Sequence, residues 1–307
     1  MLQIKKSNRS SRLQMRKQES RTAYLCLLPA IIGLVFITYL PLLSAFILGF
    51  FKWGKGAIVP VFIGLDNYKR LFTSDPYFLD SIRVTVYFSI LAVIGCLIFS
   101  LFIAILLNRK VPARGFFRAV FYLPYILPSI AVYIGWSWLY ESNFGLFNYI
   151  LTLLGVSKIQ FLADSKYVIP SLALIAVWLS GNLIVIFLAG LQNVPRVYYE
   201  ASEIDGANGF QRFLHVTLPS MTPIIFYNLL MSLIINMQIV VPALALTNGG
   251  PGTSSTFITY LMYRYAFISN QLGYACSISF IFFIIIAVFT LILFATSKSW
   301  IYYEGDE

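Results

Sequence analysis

The chain has 307 residues, 59% of them apolar and only 11% charged, with a formal net charge of +10. Soluble globular proteins carry about 25% charged residues, so this composition excludes an ordinary water-soluble globule. The positive charge is concentrated in short segments rather than spread over a surface, which argues against a nucleic-acid partner.

Six long stretches carry no charge: Ala23–Phe51, Val84–Asn108, Ala119–Tyr140, Tyr167–Pro195, Val216–Tyr263 and Tyr265–Ser297. About 20 helical residues cross a hydrocarbon layer of about 30 Å, and a helix satisfies its own backbone where lipid offers no partner. The expected fold is therefore an all-α integral membrane protein with six transmembrane helices. Spans are predicted at about 23–51, 84–107, 119–140, 168–191, 220–247 and 274–297, forming one membrane domain over 23–297.

Residues 1–22 hold Lys5, Lys6, Arg9, Arg12, Arg16, Lys17 and Arg21 against Glu19 alone. The link after span two holds Arg109, Lys110, Arg114 and Arg118 with no acid. The positive-inside rule places both segments in the cytoplasm. Six spans then return the tail, 298–307, to the same side. On that topology 14 of the 22 Lys and Arg lie inside and 8 outside. The first charge-free run, 29 residues, exceeds the core of a signal peptide (about 7–15 residues) and reads as an uncleaved anchor.

Along the chain, Leu65, Tyr68, Leu71 and Phe72 share one helical face, predicting a short helix on the membrane surface. Pro124 and Pro128 fall inside span three, which should bend because each removes a backbone donor. Asn248-Gly249-Gly250-Pro251-Gly252 must interrupt the helix after span five. Cys26, Cys96 and Cys276 match no metal or redox spacing. His215, the single histidine, has no companion ligand, so no metal site is expected.

The link between spans four and five runs from Pro195 to Pro219. Pro195 suits a helix start, and a short helix is expected to about Asp205. Gly206 permits a sharp stop, Asn208-Gly209 continues the turn, and Phe210, Phe213 and Leu214 mark a second short amphipathic segment. Glu200, Glu203 and Asp205 outnumber Arg196 and Arg212, against the basic bias of an inner loop. Such a helix–turn–helix knob suits docking on another protein; it also suits a plain connecting loop.

Glu200-Ala201-Ser202, then Asp205-Gly206-Ala207, with Leu218-Pro219 closing, resembles the cytoplasmic loop of binding-protein-dependent ABC importer permeases. Ser202 stands where that pattern has a second Ala. Gly64-Leu65-Asp66-Asn67-Tyr68, Phe117-Arg118 before Leu123-Pro124, Trp178 with Gly181, Ala189-Gly190-Leu191 and Asn248–Gly252 resemble the carbohydrate-uptake branch. Within it the chain is similar to the larger subunit of the maltose permease pair. The resemblance implies a multi-pass protein of a bacterial-type cell (inner) membrane, with both termini cytoplasmic. It also implies a coupling helix between helices 4 and 5, a second permease subunit, two ATPase subunits and an extracytoplasmic solute-binding protein. Glu200, Ala201, Ser202, Asp205, Gly206 and Ala207 would form the docking surface, with Leu218 and Pro219 anchoring its return.

No Gly-x-x-x-x-Gly-Lys-[Ser/Thr] occurs, so ATP and Mg are expected on the partner ATPase and no cofactor in this chain. No span carries an acid or base near its middle, where ion-coupled carriers keep them; this disfavours a secondary carrier. No paired acids, Cys–His or His–carboxylate set is visible, which disfavours an enzyme. Asn182, Asn228, Asn236 and Gln238 are candidates for a sugar path, because amides both donate and accept; interhelical bonding is their other use. Trp178 and Tyr227 could stack on a sugar face or anchor at an interface. The alternative substrates within the family are a polyol or a glycerol phosphate.

Overall fold

The computed structural model describes residues 21–302, apart from 55, 57, 58, 110 and 111. The basic segment through residue 20, Lys110 and the acids Glu304, Asp306 and Glu307 therefore lie outside the described residues. Three helices are long and apolar enough to cross a membrane unbroken: α1 (Arg21–Leu48), and two that follow later in the chain, Phe78–Asn108 and Leu272–Ser297. Three further spans are bent pairs, so the described chain has up to six.

A π-helical stretch, Leu34–Tyr39, widens α1 at its middle. Beyond α1, β1 (Phe51–Lys52) and β2 (Val61–Phe62) form a small antiparallel hairpin. The short helix expected from the sequence around Leu65–Phe72 forms as α2 (Asp66–Thr73). It is pinned back to the end of α1, because Asn67 Nδ2 donates to the carbonyls of Gly49 (2.9 Å) and Phe51 (3.0 Å).

α3 (Phe78–Asn108) is the central helix. Lipid tails are as apolar as leucine, so helices associate in a membrane through close packing and hydrogen bonds rather than hydrophobic burial. α3 meets that need with small residues four apart, Ala92, Cys96, Ser100 and Ala104, all at most 3% exposed. Their spacing puts them on one face. Against them pack α7 (Val168–Trp178) and α8 (Gly181–Asn193). Ser100 Oγ and Ser180 Oγ meet at 2.9 Å between these elements, a contact of about 0.6–2 kcal/mol.

Between α3 and α7 lie α4 (Arg114–Ile126), α5 (Ser129–Leu139) and the short α6 (Leu146–Leu153). α4 and α5 meet at 100°, a sharper break than the bend expected within 119–140. Pro124 stays inside α4; the break falls at Leu127, extended at ψ 146°, as the residue before a proline prefers. α7 and α8 meet at 49°. A Cβ on Gly181 would lie 2.7 Å from the Phe121 carbonyl and 3.1 Å from Tyr122 Cα, so glycine there lets α4 lie directly on α8.

The loop after α8 carries α9 (Arg196–Ile204) and α10 (Gly209–Ser220), which meets α11 (Thr222–Met237) at 67°. Span five was expected to run unbroken over 220–247. It stops at Gln238, and helix resumes only with a π turn, Ala243–Thr247. A further helix, α12 (Ile258–Tyr263), continued by a π turn over Arg264–Ile268, lies between the fifth and sixth predicted spans. Both fall within one charge-free run, where Asn248–Gly252 signals a turn but charge marks neither the break at Gln238 nor the start of α12. α13 (Leu272–Ser297) packs on the second half of α1, and much of α1 faces outward, with Leu25 69% and Ile37 78% exposed, as lipid-facing side chains do.

α2, α3 and α13 are clasped at one end of the bundle. Asp75 accepts from the hydroxyls of Tyr265 and Tyr274, and Arg70 donates to Gln271 at 2.9 Å. Burial, and then the hydrogen bond given to Asp75, hold the Tyr265 hydroxyl well above the ordinary tyrosine pKa.

Candidate functional site

The loop between α8 and α11 is built by local capping. Pro195, extended at ψ 133°, caps the start of α9. At the far end the Gly206 N–H donates to the Glu203 carbonyl (3.1 Å) and the Ala207 N–H to that of Ser202 (2.9 Å). This pair of bonds is a Schellman closure, which needs a left-handed residue after the helix. Gly206 supplies it at φ +75°. Two residues on, Asn208 and Gln211 form a reciprocal capping box, Gln211 N to Asn208 Oδ1 at 2.9 Å and Asn208 N to Gln211 Oε1 at 2.8 Å. α10 therefore starts at once.

Two side-chain contacts hold α9 and α10 together. Arg212 donates to the Glu203 carboxylate, and the Tyr199 hydroxyl meets Thr217 Oγ1 at 3.0 Å. Between the helices runs a groove of about 670 Å³, lined by Ala201, Ser202, Asp205, Gly206, Ala207 and Pro219 among others. Of the sequence candidates, Glu200 and Leu218 are not among its lining residues. Glu203 is used within the loop, whereas Glu200 and Asp205 have no ion-pair partner among the described residues. The knob also presents apolar side chains to its surroundings: Val197 is 66%, Phe210 70% and Ile204 87% exposed. The end of the described chain reaches this groove as well. The Tyr302 N–H donates to Thr222 Oγ1 at 2.9 Å, and Tyr302 joins the lining.

A second cavity, about 330 Å³ and open on one side, lies between the broken helices. It sits where three interruptions converge: Tyr125 and Ser129 flank the α4–α5 break, Ser180 and Asn182 the α7–α8 break, and Asn236 and Gln238 the end of α11. Non-helical backbone is tolerated at membrane depth where it lines a cavity or is buried in protein. Asn236 Nδ2 is engaged by the Ser232 carbonyl (2.8 Å) and hydroxyl (3.1 Å), while its oxygen retains acceptor capacity. Three of the four path candidates thus meet in one cavity. Asn228 is not among the lining residues: it is fully buried on α11, and neither of its amide atoms has a partner. It shares the face of Ser232 and Asn236, at spacings of four.

Sequence reasoning missed Tyr125, Ser129 and Tyr133, which the α4–α5 break brings to the cavity. The signal was Pro124 and Pro128, read as a bend but not as a turn that opens a cavity. Trp178 packs edge-on against Trp136, with ring centroids 5.7 Å apart, and Tyr227 is 49% exposed; neither lines the cavity. No group of three or more His, Cys, Asp or Glu suits a metal among the described residues.

Broken helices around a cavity with no charged lining residue, with a structured knob at one end, define a membrane permease. The family of binding-protein-dependent transport system inner membrane components matches residues 96–302. The chain is 37% identical to the probable ABC transporter permease protein YesP of Bacillus subtilis, over 95% of each chain. It is 31% identical to the trehalose/maltose transport system permease protein MalF of Thermococcus litoralis, over 93% of this chain and 96% of that one. With the multiple sugar-binding transport system permease protein MsmF of Streptococcus mutans it shares 34% identity over 89% and 93%. The fold is that of a crystal structure of a bacterial ABC transporter involved in the import of alginate (TM-score 0.78, 21% identity, covering 94% of this chain and 99% of that one). The chain belongs to the family of binding-protein-dependent transport system inner membrane components.

Proposed function

We propose that this permease passes a sugar or oligosaccharide, delivered by an extracytoplasmic binding protein, through the cavity beside Asn236 and Gln238, driven by a separate ATPase docked on the α9–α10 knob. The observation that carries the substrate reading is that the largely aliphatic wall of that cavity is set with the amides of Asn182, Asn236 and Gln238, serine hydroxyls and the rings of Tyr125 and Tyr133, with no acid or base among the lining residues. Amides and hydroxyls exchange hydrogen bonds with sugar hydroxyls, and rings suit their apolar faces. Relatives named for trehalose/maltose, multiple sugars and arabinooligosaccharides support the same class. A relative named for sn-glycerol-3-phosphate keeps that alternative in the family, but a phosphate calls for the cationic partner that this cavity lacks.

The working assembly in this proposal is a heterodimer of this chain with a second permease, two ATPase subunits that bind ATP and Mg, and the binding protein. Ala201, Ser202, Asp205, Gly206 and Ala207 form the ATPase-facing groove, Glu200 stands beside it, and Leu218 and Pro219 turn the chain back into the bundle. Residues 1–22 and 298–307 are cytoplasmic in this arrangement, and 23–297 form the membrane domain. Reconstituting the assembly and measuring which ligand-loaded binding protein stimulates ATP hydrolysis tests the reading. Stimulation by a neutral oligosaccharide is expected; stimulation by glycerol phosphate alone would overturn the substrate class.

A further inference from the structure

The end of the bundle that carries the α9–α10 knob also holds a second basic group. Asn108 and Arg109, at the end of α3, share a crevice with Tyr199 and Arg212 of the knob. Close by, Arg114 and Arg118 lie one turn apart on α4, and both guanidiniums turn to Gln192 on α8. With its carboxamide oxygen facing them, Gln192 accepts from Arg118 Nη2 at 3.0 Å and from Arg114 Nη2 at 3.1 Å; the hydrogen-bond network fixes that amide orientation. Arg114 Nε donates to the Leu107 carbonyl at 2.6 Å. Arg118 Nε is buried and has no partner.

Two like charges therefore converge on one neutral oxygen. Among the described residues the ion pairs are Lys69–Asp66, Arg83–Asp80 and Arg212–Glu203, and neither Arg114 nor Arg118 takes part in one. Both arginines are only partly buried; neighbouring guanidiniums repel one another, an anion between them relieves that, and a phosphate accepts their forked donors well. Arg118 and Gln192 also open onto a crevice of about 180 Å³ walled by Leu107, Tyr122, Ile184, Val185 and Leu188. The site thus has a cationic head and an apolar wall running toward Gly181, deeper in the bundle. Along α4 itself Phe116 is 66%, Val120 45% and Leu123 54% exposed, a face suited to lipid rather than to water.

We propose that Arg114, Arg118 and Gln192 bind the phosphate of an anionic phospholipid, with part of an acyl chain in the crevice between α4 and α8. Basic pockets between helices near the cytoplasmic face are a recurrent setting for lipid phosphate. The apolar wall favours a lipid over a free phosphate, and the exposed apolar side of α4 favours a lipid over an acidic protein segment. The inference rests on the proposed orientation, which puts the α9–α10 end at the cytoplasmic face, but not on the substrate.

Native mass spectrometry of the complete importer, titrated with phosphatidylglycerol or phosphatidylcholine, tests it. Retention of phosphatidylglycerol on this subunit in preference to phosphatidylcholine is expected. Arg114→Gln with Arg118→Gln should lower that retention roughly tenfold. Val185→Trp, which fills the crevice and leaves both arginines, should lower it too. If the double variant does not assemble, the two-lipid comparison on the wild type and the Val185→Trp variant still decide. Equal retention of the two lipids, or undiminished retention in the double variant, overturns the proposal. So does displacement by millimolar inorganic phosphate, which would mark a free-anion site, or a crosslink from position 114 to an acidic ATPase residue.

Discussion

Asp75 accepts a 2.6 Å hydrogen bond from the Tyr274 hydroxyl, 199 residues away in the chain. The same carboxylate oxygen takes the Tyr265 hydroxyl at 2.7 Å, and its partner oxygen caps α3 through the N–H groups of Tyr77 (2.8 Å) and Phe78 (3.2 Å). Arg70 lies 4.1 Å over the Tyr274 ring, a cation–π contact that adds to the clasp. One residue therefore ties the start of α3 to the start of α13 at the end opposite the knob.

Removing that carboxylate strands two part-buried hydroxyls, at about 1–3 kcal/mol for each polar group left without a partner. Asp75→Ala should lower the thermal unfolding midpoint of the purified permease clearly, and Asp75→Asn, which keeps one acceptor oxygen and replaces the other with an NH2 donor, less. Equal midpoints for Asp75→Ala and wild type would show that the clasp does not hold the bundle.

Gly206 gives a sharper test of the knob. A Cβ there would meet open space, so any cost arises from the backbone at φ +75° and not from a clash. A left-handed L-residue costs about 1–2 kcal/mol, more readily borne by Asn and worst for β-branched side chains. Gly206→Val should abolish uptake at wild-type expression, while Gly206→Asn retains most of it. Normal uptake by Gly206→Val would mean that the Schellman turn is not needed for coupling.

Glu200 is exposed on α9, with no ion-pair partner among the described residues. On the docking proposal it meets a basic residue of the ATPase. Glu200→Lys should then weaken co-purification of the ATPase by more than the ~0–1 kcal/mol of a solvated pair, and raising salt should partly mask the difference. Glu203→Lys acts differently, because it breaks the internal pair with Arg212. Unchanged co-purification of the Glu200→Lys variant at both salt levels would leave docking to Val197 and Ile204 alone.

Gln238 tests the path. It ends α11 at the break facing the cavity, so Gln238→Leu removes a sugar partner without touching the knob. Ligand-stimulated ATP hydrolysis should fall on the order of 10-fold, equivalent to the loss of one to two hydrogen bonds, while the basal rate and ATPase association hold. If the basal rate falls in parallel, the residue acts through the fold and not on substrate.

The membrane class and the short helix α2 were legible because charge-free length and a helical stripe are local properties. The capping of the knob was legible too: Pro195, Gly206 and Asn208 each demand a particular backbone. The interior was not. Asn248–Gly252 marked a turn after span five, but nothing in the composition marks that helix stops already at Gln238 or that a further helix starts at Ile258 before span six, and those boundaries are set by packing between distant elements. The same holds for the pairing of Glu203 with Arg212, which needs two helices folded together, and for Tyr133, which reaches the cavity only after the turn at Leu127.

Uptake by proteoliposomes holding the whole assembly tests the central claim most directly. Labelled oligosaccharide should accumulate only with ATP on the ATPase side and loaded binding protein on the other, and Gly206→Val should stop it with the complex still intact. Accumulation driven by a proton or sodium gradient, without ATP or binding protein, would contradict the account.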